Sequence, residues 1–177
     1  ISEAIGANAW RVRELVRKSP GRELLLPGAG VGGHCIPKDP WLLASSVNGK
    51  DVDVRLIPAA RAINNDMPRH MRGLIASKTG DLKGKRILLL GYAYLENSDD
   101  TRNSPSEALR HLLEEAGAHV MIHDPFVEEF NGDVYEKARG CQAAALVTAH
   151  ADYEFLDFSR LAQAMDKPVL VDGRNLW

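Results

Sequence analysis

Four short apolar runs in the second half of the chain constrain its fold more than any other feature. They are Arg86–Leu90, His119–Asp124, Ala143–Thr148 and Pro168–Asp172, each the length of one strand. The first is continuous rather than alternating, as in a strand covered on both faces. Helical stretches separate the runs. Ser104 is placed as N-cap, Pro105 as first helical residue and Glu107 to complete a capping box, with Gly117 as the stop after Ala116. A shorter helix is expected over Ser159–Met165. Strands alternating with helices predict a parallel sheet and so an α/β fold.

Residues 1–78 read as mostly helical and residues 79–177 as the sheet-bearing part. Ile5, Ala9, Val12, Leu15 and Val16 recur at helical spacing, which predicts a helix from the first residue to Ser19-Pro20-Gly21. A helix already under way at Ile1 is read as a sign that the chain is cut from a longer protein. Pro40 is expected to open another helix, because proline suits a first turn. A long helix is predicted from Ile57 to Lys78, with Pro68 kinking it or marking a boundary. Asn64 and Asn65 on it are candidates to reach a site or a subunit interface.

Between the helices lies Pro27-Gly28-Ala29-Gly30-Val31-Gly32-Gly33-His34-Cys35-Ile36-Pro37-Lys38-Asp39-Pro40. Glycines let a backbone approach a ligand closely. A cysteine near a lysine is the kind that becomes a thiolate and attacks carbonyls. A Gly-rich turn ending in a small buried cysteine fits the same residues, and local chemistry leaves both readings open.

The bulk numbers exclude several classes. A net charge of -2 offers no basic surplus for nucleic acid. No apolar run reaches the roughly 18 residues of a membrane span. Two distant cysteines make neither a disulfide framework nor a metal-ligand pattern, so a reducing, cytoplasmic compartment is expected. Cys141, beside a small-residue run, reads as a core cysteine. His70, His111, His119, His123 and His150 lack ligand spacing, and no metal is expected. The turn Gly91-Tyr92-Ala93-Tyr94-Leu95-Glu96 lacks the second and third glycines of a dinucleotide fingerprint, so it is not read as a dinucleotide site. Tyr94, Asp99, Asp100, Arg102 and Arg174 nonetheless fall at C-terminal strand ends, where parallel sheets bind ligands.

Gly30-Val31-Gly32-Gly33-His34-Cys35-Ile36-Pro37-Lys38-Asp39 resembles the catalytic cysteine loop of the UDP-glucose/GDP-mannose dehydrogenase family. The stretch from Gly91 to Pro105, containing Asp99-Asp100-Thr101-Arg102, resembles the opening of that family's UDP-binding domain. Asp124-Pro125 and Asp172-Gly173-Arg174-Asn175 are similar to its later landmarks. The resemblance implies the helical end of a central dimerisation domain over 1–78, then a Rossmann-like UDP-binding domain over 79–177. It implies oxidation of a UDP-sugar C6 alcohol to a carboxylate with NAD, which an N-terminal domain outside this chain would bind. A homodimer or higher homo-oligomer is expected. Cys35 matches the nucleophile and Asp39 the acid/base. Lys38 and Arg102 match cofactor-proximal residues. Leu26, Pro27, Gly28, Ala29, Gly30, Val31 and Gly32 match the segment along the substrate, and Tyr94, Leu95 and Arg174 its other contacts. Leu95 departs from the lysine of many members. The form Gly-Gly-His-Cys-Ile-Pro-Lys-Asp-Pro-Trp is most similar to members acting on 2-acetamido sugars, UDP-N-acetylmannosamine first. The alternatives are a UDP-glucose 6-dehydrogenase and a UDP-sugar-binding or dimerisation module without catalysis of its own.

Overall fold

The computed structural model describes residues 1–177. Strands β1 (Arg86–Leu90), β2 (His119–His123), β3 (Ala143–Leu146) and β4 (Leu170–Asp172) form one parallel sheet in the order β2-β1-β3-β4. Leu88 of β1 lies opposite Met121 of β2 and Ala144 of β3. The helices are α1 (Ala9–Arg17), α2 (Cys35–Ser45), α3 (Leu56–Thr79), α4 (Pro105–Glu115), α5 (Val134–Lys137) and α6 (Phe158–Ala164).

Side-chain alternation divides β1 between two cores. Ile87 and Leu89 pack with Met71 and Ile75 of α3 and Leu109 and Leu113 of α4. Leu88 and Leu90 pack with Val134, Ala138, Cys141, Tyr153 and Leu161 on the opposite face. Both faces are covered, which is why β1 is apolar at every central position. By contrast, α1 and α2 contain no buried residue. No helix is long and apolar enough to cross a membrane.

Four local expectations need correction. The opening is not one helix: a short 3-10 turn at Glu3–Ile5 ends at Gly6, whose φ of 68° is left-handed, before α1 begins. Helix α2 starts at Cys35 rather than Pro40. Pro37 occupies its first turn, so Pro40 lies inside the helix. Helix α3 continues through Pro68, which is buried, so Pro68 marks no helix boundary. The capping box does not close. Ser104 Oγ accepts from Ser106 N at 3.1 Å, but the Ser104 N–H already donates to the Thr101 carbonyl at 3.2 Å, leaving Glu107 nothing to cap.

Candidate functional site

The glycine run lies against the C-terminal edge of the sheet, and its order along the chain sets the order of the site. At the near end, a Cβ on Gly28 would fall inside the Arg174 guanidinium. Arg174 is oriented twice. Its N–H donates to Asp172 Oδ1 at 2.8 Å, and its guanidinium pairs with Glu96 at 2.7 Å. Leu26, Arg174, Glu96, Trp10 and Arg13 line a cleft of about 250 Å³ there.

Further along, Val31 is held by Asn64 of α3. Its N–H donates to Asn64 Oδ1 at 2.8 Å, and Asn64 Nδ2 donates back to its carbonyl at 3.4 Å. Sequence reasoning marked Asn64 as a candidate without seeing this partner. No sequence signal links the two, which lie 33 residues apart; nearby, Pro68 lacks an N–H, so the Asn64 carbonyl has no donor one turn on, and Gly30 packs beside that carbonyl. Ala29 is buried in the core, backbone included, whereas Val31 is exposed.

At the far end the run meets the loop after β1. Gly33 N donates to the Arg102 carbonyl at 2.8 Å, and Asn103 Nδ2 donates to the Gly33 carbonyl at 2.8 Å. Gly33 has φ +86°, and a Cβ there would stand 2.7 Å from the Tyr94 ring. A Cβ on Gly32 would enter the Asn103 carbonyl. These glycines therefore serve the packing of one half of the chain on the other. Tyr94 is half-buried beneath them, while Leu95 is exposed.

Cys35 follows as the first residue of α2 and is exposed. His34, the N-cap, makes no side-chain capping bond, so the first N–H groups of α2 have no intrahelical partner beside the thiol. Asp39, four residues on, shares a helix face with Cys35, and both line an open cleft with Ile36, Pro40, Leu43 and Ile57. Lys38 pairs with Asp39 at 2.9 Å, and the hydrogen bond and charge of Asp39 raise its pKa. Lys38, His34, Arg102 and Asn103 line a separate cleft of about 450 Å³. Arg102 is held by Asp100 at 2.9 Å, and that hydrogen bond and charge raise its pKa. The structure thus gathers the candidates into three neighbouring groups strung on one loop: Leu26, Gly28 and Arg174; Lys38 and Arg102; Cys35 and Asp39.

Sequence reasoning missed Asp124 and His150 as partners. Asp124 is fully buried and accepts from the N–H groups of Tyr92 at 2.6 Å and Ala93 at 2.8 Å, and from His150 at 3.0 Å. Burial alone would push its carboxyl pKa up. The bonds from His150, Ala93, Tyr92 and Phe126 outweigh this and hold it well below the usual range. Each residue simply follows a strand, and no local pattern links them.

Residues 88–177 match the UDP-binding domain of the UDP-glucose/GDP-mannose dehydrogenase family, and residues 1–66 match its central domain. A UDP-N-acetyl-D-mannosamine dehydrogenase of Pyrococcus horikoshii is 33% identical over 99% of this chain and 42% of its own length. A UDP-glucose 6-dehydrogenase of Rhizobium meliloti is 35% identical over 100% of this chain and 44% of its own. The solved structure of a UDP-D-ManNAc dehydrogenase from Pyrococcus horikoshii superposes with a TM-score of 0.92 at 32% identity, over 99% of this chain and 42% of that one. The chain therefore spans well under half the length of the curated relatives it matches. With its cysteine loop and its parallel sheet both matched, the chain belongs to the UDP-glucose/GDP-mannose dehydrogenase family.

Proposed function

We propose that this chain supplies the thiol nucleophile and the UDP-binding face of an NAD-dependent UDP-sugar 6-dehydrogenase. The observation that carries this reading is the glycine run itself. One end abuts Arg174 and the other leads into Cys35. From Gly28 to Cys35 the backbone spans at most about 24 Å, enough to lie along a diphosphate-linked sugar. Arg174 is a fork suited to a phosphate oxygen. At the other end, Cys35 would meet the sugar carbon being oxidised.

The residues support a definite division of labour. The Cys35 sulfur adds to the aldehyde from the first oxidation and forms a thiohemiacetal. As the S–C bond forms, the negative charge passes from sulfur to oxygen beside the positive end of α2. Loss of hydride from that carbon leaves a thioester. Asp39, on the face of Cys35, accepts a proton from the water that cleaves it, releasing carboxylate and thiol. NAD supplies the hydride acceptor in both oxidations. Lys38 and Arg102 offer two cations to its anionic groups, and the Lys38–Asp39 ion pair holds the ammonium at the cleft. The chain has no Gly-x-Gly-x-x-Gly turn after a strand, so this reading assigns the main nicotinamide-binding surface to another domain and gives the chain alone no turnover.

Among substrates we place UDP-N-acetylhexosamines first, and UDP-N-acetylmannosamine first among them. The loop form and the Pyrococcus horikoshii relative favour it. UDP-glucose stays as the second reading, because the Rhizobium meliloti relative is equally similar. Calorimetry with UDP tests the nucleotide assignment. UDP binds in the micromolar-to-millimolar range and Arg174→Ala weakens it by about tenfold or more. No heat at millimolar UDP sinks the reading. In a complete dehydrogenase carrying these residues, Cys35→Ser stops NADH formation after the first hydride and slows the overall reaction roughly 10³-fold or more. Full turnover by that variant refutes the thioester route.

A further inference from the structure

Asp124 and His150 bind no proposed substrate atom, yet their bonds converge on the segment that would. In this sheet the loops after β1 and β3 diverge from neighbouring strands, which makes the crevice between them the place where such sheets take ligands. The loop after β1 crosses that crevice; it is closed on itself where the Tyr94 N–H donates to the Asp100 carbonyl at 2.9 Å, and it is fastened to neighbouring loops at two points. On the near side, Asp124 Oδ2 accepts from Tyr92 N and Ala93 N, and the Ala93 carbonyl accepts from Thr148 Oγ1 at 2.6 Å. On the far side, Asn97 N donates to His150 Nδ1 at 2.9 Å, and Asn97 Oδ1 accepts from Ala151 N at 2.9 Å. Only Tyr94, Leu95 and Glu96 lie between these points. They are the proposed substrate pair and the residue paired with Arg174.

The bonds also fix the state of the ring. Because Asn97 N–H donates to Nδ1, that nitrogen presents a lone pair. The single proton of the neutral ring is then on Nε2, where it donates to Asp124 Oδ2 at 3.0 Å. His150 is fully buried, and the rings facing it are Phe126 and Tyr153. A second ring proton would meet the Asn97 N–H head-on.

We infer that His150, neutral and protonated on Nε2, is a positioning residue that holds Tyr94–Glu96 in the conformation that receives UDP. This rests on the UDP reading above. Two substitutions separate its two bonds. His150→Gln puts an amide near the Nε2 position, keeping a donor for Asp124 and losing the acceptor for Asn97. His150→Asn puts its amide near the Nδ1 position, keeping the acceptor and losing the donor. His150→Asn opens the larger space and leaves buried Asp124 one donor short, so a purely structural role predicts the greater loss in His150→Asn. We expect UDP affinity by calorimetry to fall about tenfold in His150→Gln and to stay within about threefold in His150→Asn, even though His150→Asn lowers the thermal midpoint more. Equal dissociation constants in the two variants, or losses that follow the midpoints, overturn the inference while wild-type binding stands. Absence of wild-type UDP binding overturns the nucleotide reading and this inference with it. Should His150→Gln not fold, nitrogen NMR of the His150 ring in the wild-type chain with UDP bound decides instead: an unprotonated Nδ1 supports the inference, and a protonated Nδ1 overturns it.

Discussion

At the scale of single residues, the two cysteines have opposite fates because of where the backbone carries them. Cys35 is exposed at a helix start, and Cys141 is fully enclosed by the second core. Burial pushes the Cys141 thiol pKa up, with Arg86 only partly opposing. Under native conditions iodoacetamide should therefore alkylate Cys35 well before Cys141, as read by peptide mass spectrometry. The reverse order would remove the exposed-nucleophile reading. Asp124 makes a second prediction. Its folded carboxyl sits below the unfolded value, so its contribution to stability is complete above about pH 4 and is lost as acid titrates toward the lower folded value. Asp124→Asn should cost about 2–4 kcal/mol at neutral pH and flatten the acid limb of the stability curve, measured by urea unfolding from about pH 3 to about pH 7. An unchanged acid limb would contradict the assignment.

At the scale of elements, the helices and strands that were easiest to foresee are those whose signals are local. The strands and α4 stand close to their expected positions because apolar runs, a proline start and a glycine stop are all written within a few residues. The start of α2 was missed because Pro40 drew the boundary, whereas Pro37 and the end of the glycine run set it. That shift matters chemically, since it turns Cys35 from a loop residue into a helix-start residue. The joint between the loop and the sheet is testable at Gly33. Gly33→Ala would strain a left-handed backbone and press on the Tyr94 ring, with an expected cost of about 1–3 kcal/mol and weaker UDP binding. Helix α3 is tied to the sheet by Ile75, which is 0% exposed, and Ile75→Ala should cost about 2–5 kcal/mol in denaturant unfolding. A cost below 1 kcal/mol, roughly the surface level, would mean that α3 does not share the sheet's core.

At the scale of the whole molecule, the two halves differ in how far they bury themselves. The sheet and its helices enclose two cores, while α1, α2 and the first turns of α3 expose Val12, Leu15, Ile36, Leu43, Leu56 and Ile63. Exposed apolar faces of this extent favour association. Sedimentation should show concentration-dependent dimers that Ile63→Glu weakens, and a strictly monomeric wild type would count against a homodimer contact through these helices. The sequence by itself determined the α/β class and the sheet-bearing half, because periodicity, caps and residue type act over a few neighbouring positions. Only the tertiary structure decided that Gly28 lies on Arg174, that Gly33 covers Tyr94, that Asn64 grips Val31 and that His150 reaches Asn97. Those partners lie tens of residues apart, and their contacts exist only once the strands have paired and α3 has packed on the sheet.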